Sequence, residues 1–231
     1  MMPETTPGLS RRIYAVELLV FLFLIVPSML LSFLVVRQGG LSFVLTAWAT
    51  IARDLALVCL VAYFLWRNRE SRRRIGWTFR NGASDVVLGI VLFIPTFYAT
   101  GLLELFLRHI GLSAPATPLP KSLTAYGSAQ MVLAGFLVVV VAIAEETIFR
   151  GYLVRRFTDA TGSVALGVIL SSFIFSLGHG YEGTAGVATV GTMGLIFALV
   201  YIWRQSLVAP ITMHFLQDFI GLVVVPLFSN R

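Results

Sequence analysis

Seven long apolar segments divide the chain and leave few ways for it to fold. They cover residues 14–36, 41–66, 84–107, 129–155, 163–181, 184–203 and 206–227. A helix that crosses a membrane needs roughly 20 mostly apolar residues, and inside a bilayer only helices and closed barrels satisfy all their backbone polar groups. We therefore predict an all-α fold, a polytopic bundle of about seven transmembrane helices, with six to eight as the range.

The composition excludes a soluble globular protein. Of 231 residues, 58% are hydrophobic and 12% are charged, whereas soluble domains have roughly 25% charged residues. The net charge of +6 comes almost wholly from arginine, since Lys121 is the single lysine. No basic patch is interleaved with aromatic residues, so we expect no nucleic-acid partner. Cys59 is the only cysteine, which excludes an intrachain disulfide and a thiolate-rich metal cluster.

The distribution of arginine predicts the orientation of the chain. The segment 67–80 is the most basic, with arginine at positions 67, 69, 72, 73, 74 and 80, and by the positive-inside rule it is cytoplasmic. Counting spans from there places the N-terminus in the cytoplasm and the 108–128 connection outside. That connection contains Pro115, Pro118 and Pro120 and is predicted to follow an irregular path.

The whole chain, 1–231, is expected to form one membrane domain. The first apolar run is longer than that of a signal peptide, so we interpret it as an uncleaved anchor. With no eukaryotic sorting signal visible, we expect an integral multi-pass protein of a prokaryotic plasma membrane. The sequence leaves the oligomeric state open.

Two adjacent glutamates and an arginine interrupt the fourth apolar segment, in AIAEETIFRGY. Glu146 and Arg150 are four apart, so on a helix they share a face and can pair. Glu145 is rotated about 100° from Glu146 and has no such partner. An ionisable residue inside a membrane is by default a candidate functional residue, so we assign function to Glu145 and an orienting role to the Glu146–Arg150 pair. The alternative is a structural ion pair with a spare carboxylate near the interface.

Two histidines lie in later apolar segments. His179 stands in FSLGHGYEG, and His214 and Asp218 are four apart in MHFLQDF, where helix geometry makes them neighbours. The alternatives are a hydrogen-bonded core histidine and a structural His–Asp bond. Arg53 and Asp54 are adjacent on the second segment, and adjacent helical residues do not face each other. We therefore expect each either to have a partner elsewhere or to lie close to water, and we favour a structural role.

Small residues recur every four positions in the sixth segment, at Thr184, Ala188 and Thr192. This pattern lets helices approach closely, and it predicts tight packing of the fifth, sixth and seventh segments.

The residue types allow two hydrolytic chemistries. A glutamate and a histidine can polarise a water that attacks a carbonyl group, while a second histidine and its neighbour steady the oxyanion. Alternatively, His179, His214 and a carboxylate bind Zn²⁺, which activates the water. There is no HExxH sequence, and the residue types alone do not separate the two.

The three motifs together resemble a known family. The order EExxxR, FxxxH and HxxxD on successive apolar helices is similar to that of the CAAX prenyl protease and bacteriocin-processing (CPBP, Abi) family. The motifs are Glu145-Glu146…Arg150, Phe175…His179 and His214…Asp218, and the resemblance covers roughly residues 129–225. It implies an intramembrane glutamic endopeptidase that works without a metal cofactor.

The resemblance also implies roles for individual residues. Glu145 and His179 take the positions that activate water, and His214 and Asp218 those of the oxyanion site. The better-studied prenyl-protein members have Asn at the last position, where this chain has Asp218. An ionised aspartate cannot donate a hydrogen bond, so Asp218 is either protonated or orients His214.

The leading hypothesis is a CAAX-type peptidase that acts on a peptide or lipidated peptide among membrane lipids. A zinc-dependent metalloprotease is one alternative, and a non-catalytic bacteriocin-immunity protein or transporter is another. The depths of the residues fit only in part: at ~1.5 Å per residue, Glu145 lies roughly 15 Å and His214 roughly 12 Å from the cytoplasmic helix ends. His179 comes out near 24 Å by the same ~1.5 Å rise, unless its helix tilts or begins deeper.

Overall fold

The computed structural model describes residues 11–37, 41–114 and 121–229, and these residues contain helices and no strand. The α-helices are α1 (Arg11–Arg37), α2 (Phe43–Arg67), α3 (Gly82–His109), α4 (Gly127–Glu145), α5 (Val154–Thr161), α6 (Val164–Leu177), α7 (Gly183–Arg204), α8 (Val208–Phe219) and α9 (Val225–Ser229). Two π-helical segments, Glu146–Leu153 and Ile220–Val224, join α4 to α5 and α8 to α9. The predicted all-α fold is confirmed. Positions 115–120, which include the three prolines of the predicted irregular loop, lie outside the described residues.

In the described part of the chain, six helices are long and apolar enough to cross a membrane, which confirms the predicted range of six to eight spans. The segment predicted at 163–181 is shorter than expected, because α6 has only 14 residues and is therefore about 21 Å long. It ends at Leu177 with Gly178 as its C-cap, and Gly183, where α7 begins, has a positive φ of 75°. Positive φ is a conformation that glycine adopts without strain.

Two helices, α2 and α8, pack against α4, and α8 in turn packs against α3. On the other side of the π-helical segment, α5 packs against α6, and α6 against α7. This arrangement brings the second, fourth and eighth helices together, and each of them has charged or titratable residues in its apolar sequence.

The small residues of α7 do not all pack as predicted. Thr184 and Ala188 are exposed and, with Thr192, line an open groove of about 960 Å³ beside α6. The close approach of α7 to α6 occurs instead at glycines on another face of α7. A Cβ added at Gly194 would lie 3.3 Å from the Phe175 ring. The predicted tight packing is present, but the stripe chosen for it was wrong.

A buried ion cluster holds the end of α5 against the arginine-rich connection. The Arg156 guanidinium is fully buried and lies 3.0 Å from Glu70 Oε2 (Nη2) and 3.3 Å from Glu17 Oε2 (Nε). Arg74 Nη2 lies 3.0 Å from Asp159 Oδ2. Because these groups come from α1, α5 and the connection after α2, the cluster fixes the helix ends that frame the π-helical segment.

Glycine at position 89 sets the distance between α3 and α8, so we expect Gly89→Ala to destabilise the protein. A Cβ there would lie 2.7 Å from Thr212 Cβ and 2.8 Å from the Ala209 carbonyl oxygen. Overpacking of this kind costs about 1–3 kcal/mol, which equilibrium unfolding in detergent micelles would measure. The matched control is Gly101→Ala on the same helix, where no atom lies within 4 Å and alanine is the better helix former. Equal stability of the two variants would contradict this interpretation of the α3–α8 contact.

Candidate active site

The glutamate motif lies where the α4 helix changes its hydrogen-bond register. The sequence predicts a continuous α-helix here, but Glu146–Leu153 is π-helical. All eight residues of this segment are buried. Neighbouring elements contact its backbone closely: Ser171 Oγ donates to the Phe149 carbonyl oxygen at 2.6 Å. A Cβ at Gly151 would lie 2.8 Å from the Ile75 carbonyl oxygen. Segments of π-helix are rare and occur often at functional sites.

The predicted contact between Glu146 and Arg150 is present. Arg150 Nη1 donates to Glu146 Oε1 at 2.7 Å, and the side chains are 1% and 0% exposed. The Arg150 guanidinium also lies over the rings of Phe175, at 4.2 Å, and Phe197, at 5.3 Å. The same Glu146 oxygen is 2.8 Å from His214 Nδ1. Glu146 therefore links an arginine of its own helix to a histidine of α8.

Glu145 has no hydrogen-bond partner among the described residues. Its Oε1 lies 3.8 Å from Arg53 Nη2, and its Oε2 lies 3.8 Å from His214 Nε2. Both distances exceed the normal hydrogen-bond range. The side chain is 14% exposed, so the carboxylate lies between two nitrogen donors and is still accessible.

His214 is surrounded by carboxylates. Its Nδ1 faces Glu146, and its Nε2 lies 3.4 Å from Asp218 Oδ2, as the four-residue spacing predicts. Ionised carboxylates only accept hydrogen bonds, so an imidazolium with a hydrogen on each nitrogen satisfies both contacts. Asp218 is more open, with 25% of its side chain exposed. In this arrangement the charge of Asp218 lies beside Nε2 and orients the ring, and the contact is longer than a normal hydrogen bond.

His179 lies just beyond the end of α6, in the turn that follows Gly178. Its Nδ1 is 3.1 Å from the Phe175 carbonyl oxygen. Since that oxygen accepts, Nδ1 carries the hydrogen, and Nε2 of the neutral ring has the free lone pair. The end of α6 at Leu177 shortens the expected rise to His179 only slightly, since α6 alone is about 21 Å long.

Phe175 contacts both histidines. Its ring centroid is 5.0 Å from that of His179 and 6.0 Å from that of His214. Among the described residues, no nitrogen of His179 makes an ion-pair contact with a carboxylate oxygen. The structure thus brings Glu145, Glu146 and His214 into direct proximity and places His179 beside the Phe175 ring, which also contacts His214.

The prediction that Arg53 and Asp54 do not pair with each other was wrong. The two side chains pair with each other: Arg53 Nε and Nη2 each lie 2.8 Å from Asp54 Oδ1. Adjacent Cβ atoms do point apart on a helix, but the arginine side chain is long enough to fold back on its neighbour. The contact with Glu145 was also missed. An ionisable pair in the middle of an apolar segment was the available signal.

The described residues contain no group of three histidine, cysteine or acidic side chains arranged to hold a metal ion. The nearest donors are already engaged, since Glu146 pairs with Arg150 and His214 faces Glu146 and Asp218. The residues as placed therefore do not fit the zinc alternative without a rearrangement of these contacts.

Comparison with known families tests the resemblance. The family model described as Type II CAAX prenyl endopeptidase Rce1-like matches residues 127–220. This part of the chain is similar to the Rce1-like CAAX proteases. The matched segment runs from the start of α4 to the end of α8 and contains all three motifs, so the predicted resemblance is confirmed there. Arg53 and Asp54 lie outside this Rce1-like segment. A search of curated proteins and a search of solved structures each gave no match.

Proposed function

We propose that this protein is an intramembrane endopeptidase that hydrolyses peptide bonds with a water activated by Glu145. The Rce1-like family is a family of proteases, which supports hydrolysis in general. The specific proposal rests on the exposure and the neighbours of the Glu145 carboxylate. It is an accessible carboxylate in an apolar bundle, without a hydrogen bond to any residue that the structure describes, between a histidine and an arginine at 3.8 Å.

The proposed reaction begins with proton removal from water. Glu145 takes one proton as the water oxygen bonds to the scissile carbonyl carbon, and the lone pair of His179 Nε2 accepts the other hydrogen of that water as a hydrogen bond. The carbonyl electron pair moves to its oxygen, which becomes an oxyanion. His214 Nε2–H donates to this oxyanion. When the intermediate collapses, the carbon–nitrogen bond breaks and Glu145 returns its proton to the leaving amine.

Asp218 acts in this scheme through His214. Its carboxylate lies within 3.4 Å of Nε2 and holds the plane of the imidazole. The residue therefore differs from an asparagine, which would donate a hydrogen bond itself. Glu146 holds the opposite ring nitrogen, so two carboxylates fix the histidine from two sides.

We propose a peptide or lipidated peptide as the substrate, approached from the surrounding membrane lipids. The orientation with a cytoplasmic N-terminus and a prokaryotic plasma membrane completes the proposal. It rests on the arginines of segment 67–80, of which Arg69, Arg72 and Arg73 are exposed.

Cleavage by the purified protein in proteoliposomes tests the function. The probe is a quenched fluorescent peptide that ends in a prenylated Cys-aliphatic-aliphatic-X sequence, with its unprenylated twin as comparison. Cleavage of either peptide by the wild type, absent in Glu145→Gln and unchanged by a chelator, supports the proposal. Reversible loss of cleavage with the chelator favours the metalloprotease. Proton-coupled flux without proteolysis favours a transporter and overturns the proposal.

His179→Ala is expected to lower kcat by about 100-fold or more, the range of a lost acid–base group. The reason is the lone pair on Nε2, which the Nδ1 contact with the Phe175 carbonyl leaves available. Steady-state cleavage of the same peptide measures the effect. His109→Ala is the control, since His109 is exposed at the end of α3. Activity of His179→Ala equal to that of the control would remove His179 from the mechanism.

A further inference from the structure

Arg53 approaches the site through Nη2 and has a second terminal nitrogen, Nη1, without a partner among the described residues. Its Nε and Nη2 are both held by Asp54 Oδ1 at 2.8 Å, which fixes the plane of the guanidinium. Nη1 makes no hydrogen bond or ion pair with any residue that the structure describes. The side chain is 31% exposed, and its nearest approach to the proposed general base is the 3.8 Å contact with Glu145.

Asp54 forms its hydrogen bond and ion pair with Arg53. Its side chain is 2% exposed, and its Oδ2 has no hydrogen-bond partner in the described structure. An aspartate buried in an apolar helix costs free energy unless it is paired. The pair therefore presents a rigid cation rather than a mobile surface arginine.

Arg150, the other arginine of the site, is buried, whereas Arg53 is partly exposed. Arg150 is 1% exposed, pairs with Glu146 and is covered by two aromatic rings. Its charge is therefore not accessible to a substrate. Of the two guanidiniums near Glu145, Arg53 alone has exposed surface among the described residues.

We propose that Arg53 is a further catalytic residue, whose guanidinium donates a hydrogen bond to the oxyanion of the tetrahedral intermediate, and that Asp54 is its positioning residue. The inference rests on the proposed function. Arg53 stays protonated throughout: the carbonyl electron pair moves to oxygen when water attacks, the guanidinium donates to that oxygen, and the pair returns when the carbon–nitrogen bond breaks.

Two features of the site favour this role. Arg53 and His214 flank opposite oxygens of Glu145 at the same 3.8 Å, so a carbonyl attacked by a water on Glu145 comes close to both donors. In addition, the carboxylates of the site outnumber its guanidiniums, since Glu145 and Asp218 have no arginine of their own. A new negative charge in such a site needs an accessible cation, and electrostatic stabilisation of the oxyanion is often the largest catalytic effect.

The test is Arg53→Gln, with kcat and KM measured separately on the quenched peptide in proteoliposomes. We expect kcat to fall by about 100-fold or more, as for loss of an oxyanion donor, with KM changed less than about threefold. The chain offers a matched control in Arg204. Its Nε and Nη2 lie 2.8 and 2.7 Å from Asp85 Oδ1, a nearly identical pair remote from Glu145. Arg204→Gln should leave kcat within about threefold.

Two further measurements keep the proposal testable if Arg53→Gln folds poorly. Arg53→Lys keeps the charge but loses the planar fork, and its kcat should fall at least about tenfold. Added methylguanidinium should restore part of the kcat of Arg53→Ala and none in Arg204→Ala. A kcat within threefold of wild type in Arg53→Gln, or a rise in KM alone, would overturn the proposal.

The activity of Glu145→Gln distinguishes failure of the role proposed for Arg53 from failure of the proposed peptidase function. If Glu145→Gln is inactive while Arg53→Gln keeps the wild-type kcat, the peptidase proposal stands and only the role of Arg53 fails. If Glu145→Gln retains wild-type cleavage, the proposed function itself fails.

Discussion

Glu145→Gln is expected to lower kcat for peptide cleavage by about 10⁴-fold, at the upper end of general acid–base effects. Glutamine has the same shape but cannot take a proton from water. The change removes no hydrogen bond of the folded protein, since the nearest nitrogen donors of Glu145 are 3.8 Å away. We therefore expect KM and the free energy of unfolding to stay close to their wild-type values. Steady-state kinetics in proteoliposomes and unfolding in micelles measure the two effects.

The control for this variant is Glu104→Gln on α3. Glu104 is also a glutamate of an apolar helix near an arginine, Arg108, but its side chain is 32% exposed and it pairs along its own helix. Such exposed pairs contribute little to stability, so Glu104→Gln should match the wild type in both measurements. A kcat for Glu145→Gln above one tenth of the wild-type value would show that another group removes the proton.

The sequence predicted those contacts of the site that lie within one helix. Glu146 and Arg150 are four residues apart, as are His214 and Asp218, and both contacts are present. Such contacts follow from the helical repeat alone. The long apolar segments likewise predicted the bundle, because a bilayer leaves a chain little choice of backbone structure.

Contacts between helices could not be predicted in this way. His214 Nδ1 reaches Glu146 across 68 positions of sequence, which depends on the packing of α8 against α4. Arg53 approaches Glu145 for the same reason, since α2 packs against the other side of α4. Helical periodicity contains no information on which faces of two helices meet.

Local departures from α-helical backbone geometry were the second feature that the sequence did not predict. The π-helical segment Glu146–Leu153 and the early end of α6 both change the positions of residues relative to an ideal α-helix. The depth calculated for His179 assumed a regular helix from residue 163 to the histidine, and α6 ends two residues before it. Gly178 and Gly180 on either side of the histidine were the signal that the helix ends there.

Glu146→Ala is expected to destabilise the protein by about 3–5 kcal/mol, the cost of breaking a buried ion pair by removal of one partner. Arg150 would keep its charge at 1% exposure with no carboxylate in contact. His214 would lose the acceptor of its Nδ1. Equilibrium unfolding in micelles measures the loss, and cleavage should also fall because the ring of His214 is no longer held. Wild-type stability in this variant would contradict a structural role for the pair.

The double variant Glu146→Met/Arg150→Met distinguishes stability from positioning. Methionine fills a similar volume without charge, and replacement of both members of a buried pair is often neutral or stabilising. We therefore expect most of the stability lost in Glu146→Ala to return. Cleavage should not return, because methionine cannot accept the hydrogen bond from His214 Nδ1. If the double variant regained cleavage together with stability, Glu146 would act only by neutralising Arg150, and the orientation of His214 would depend on Asp218 alone.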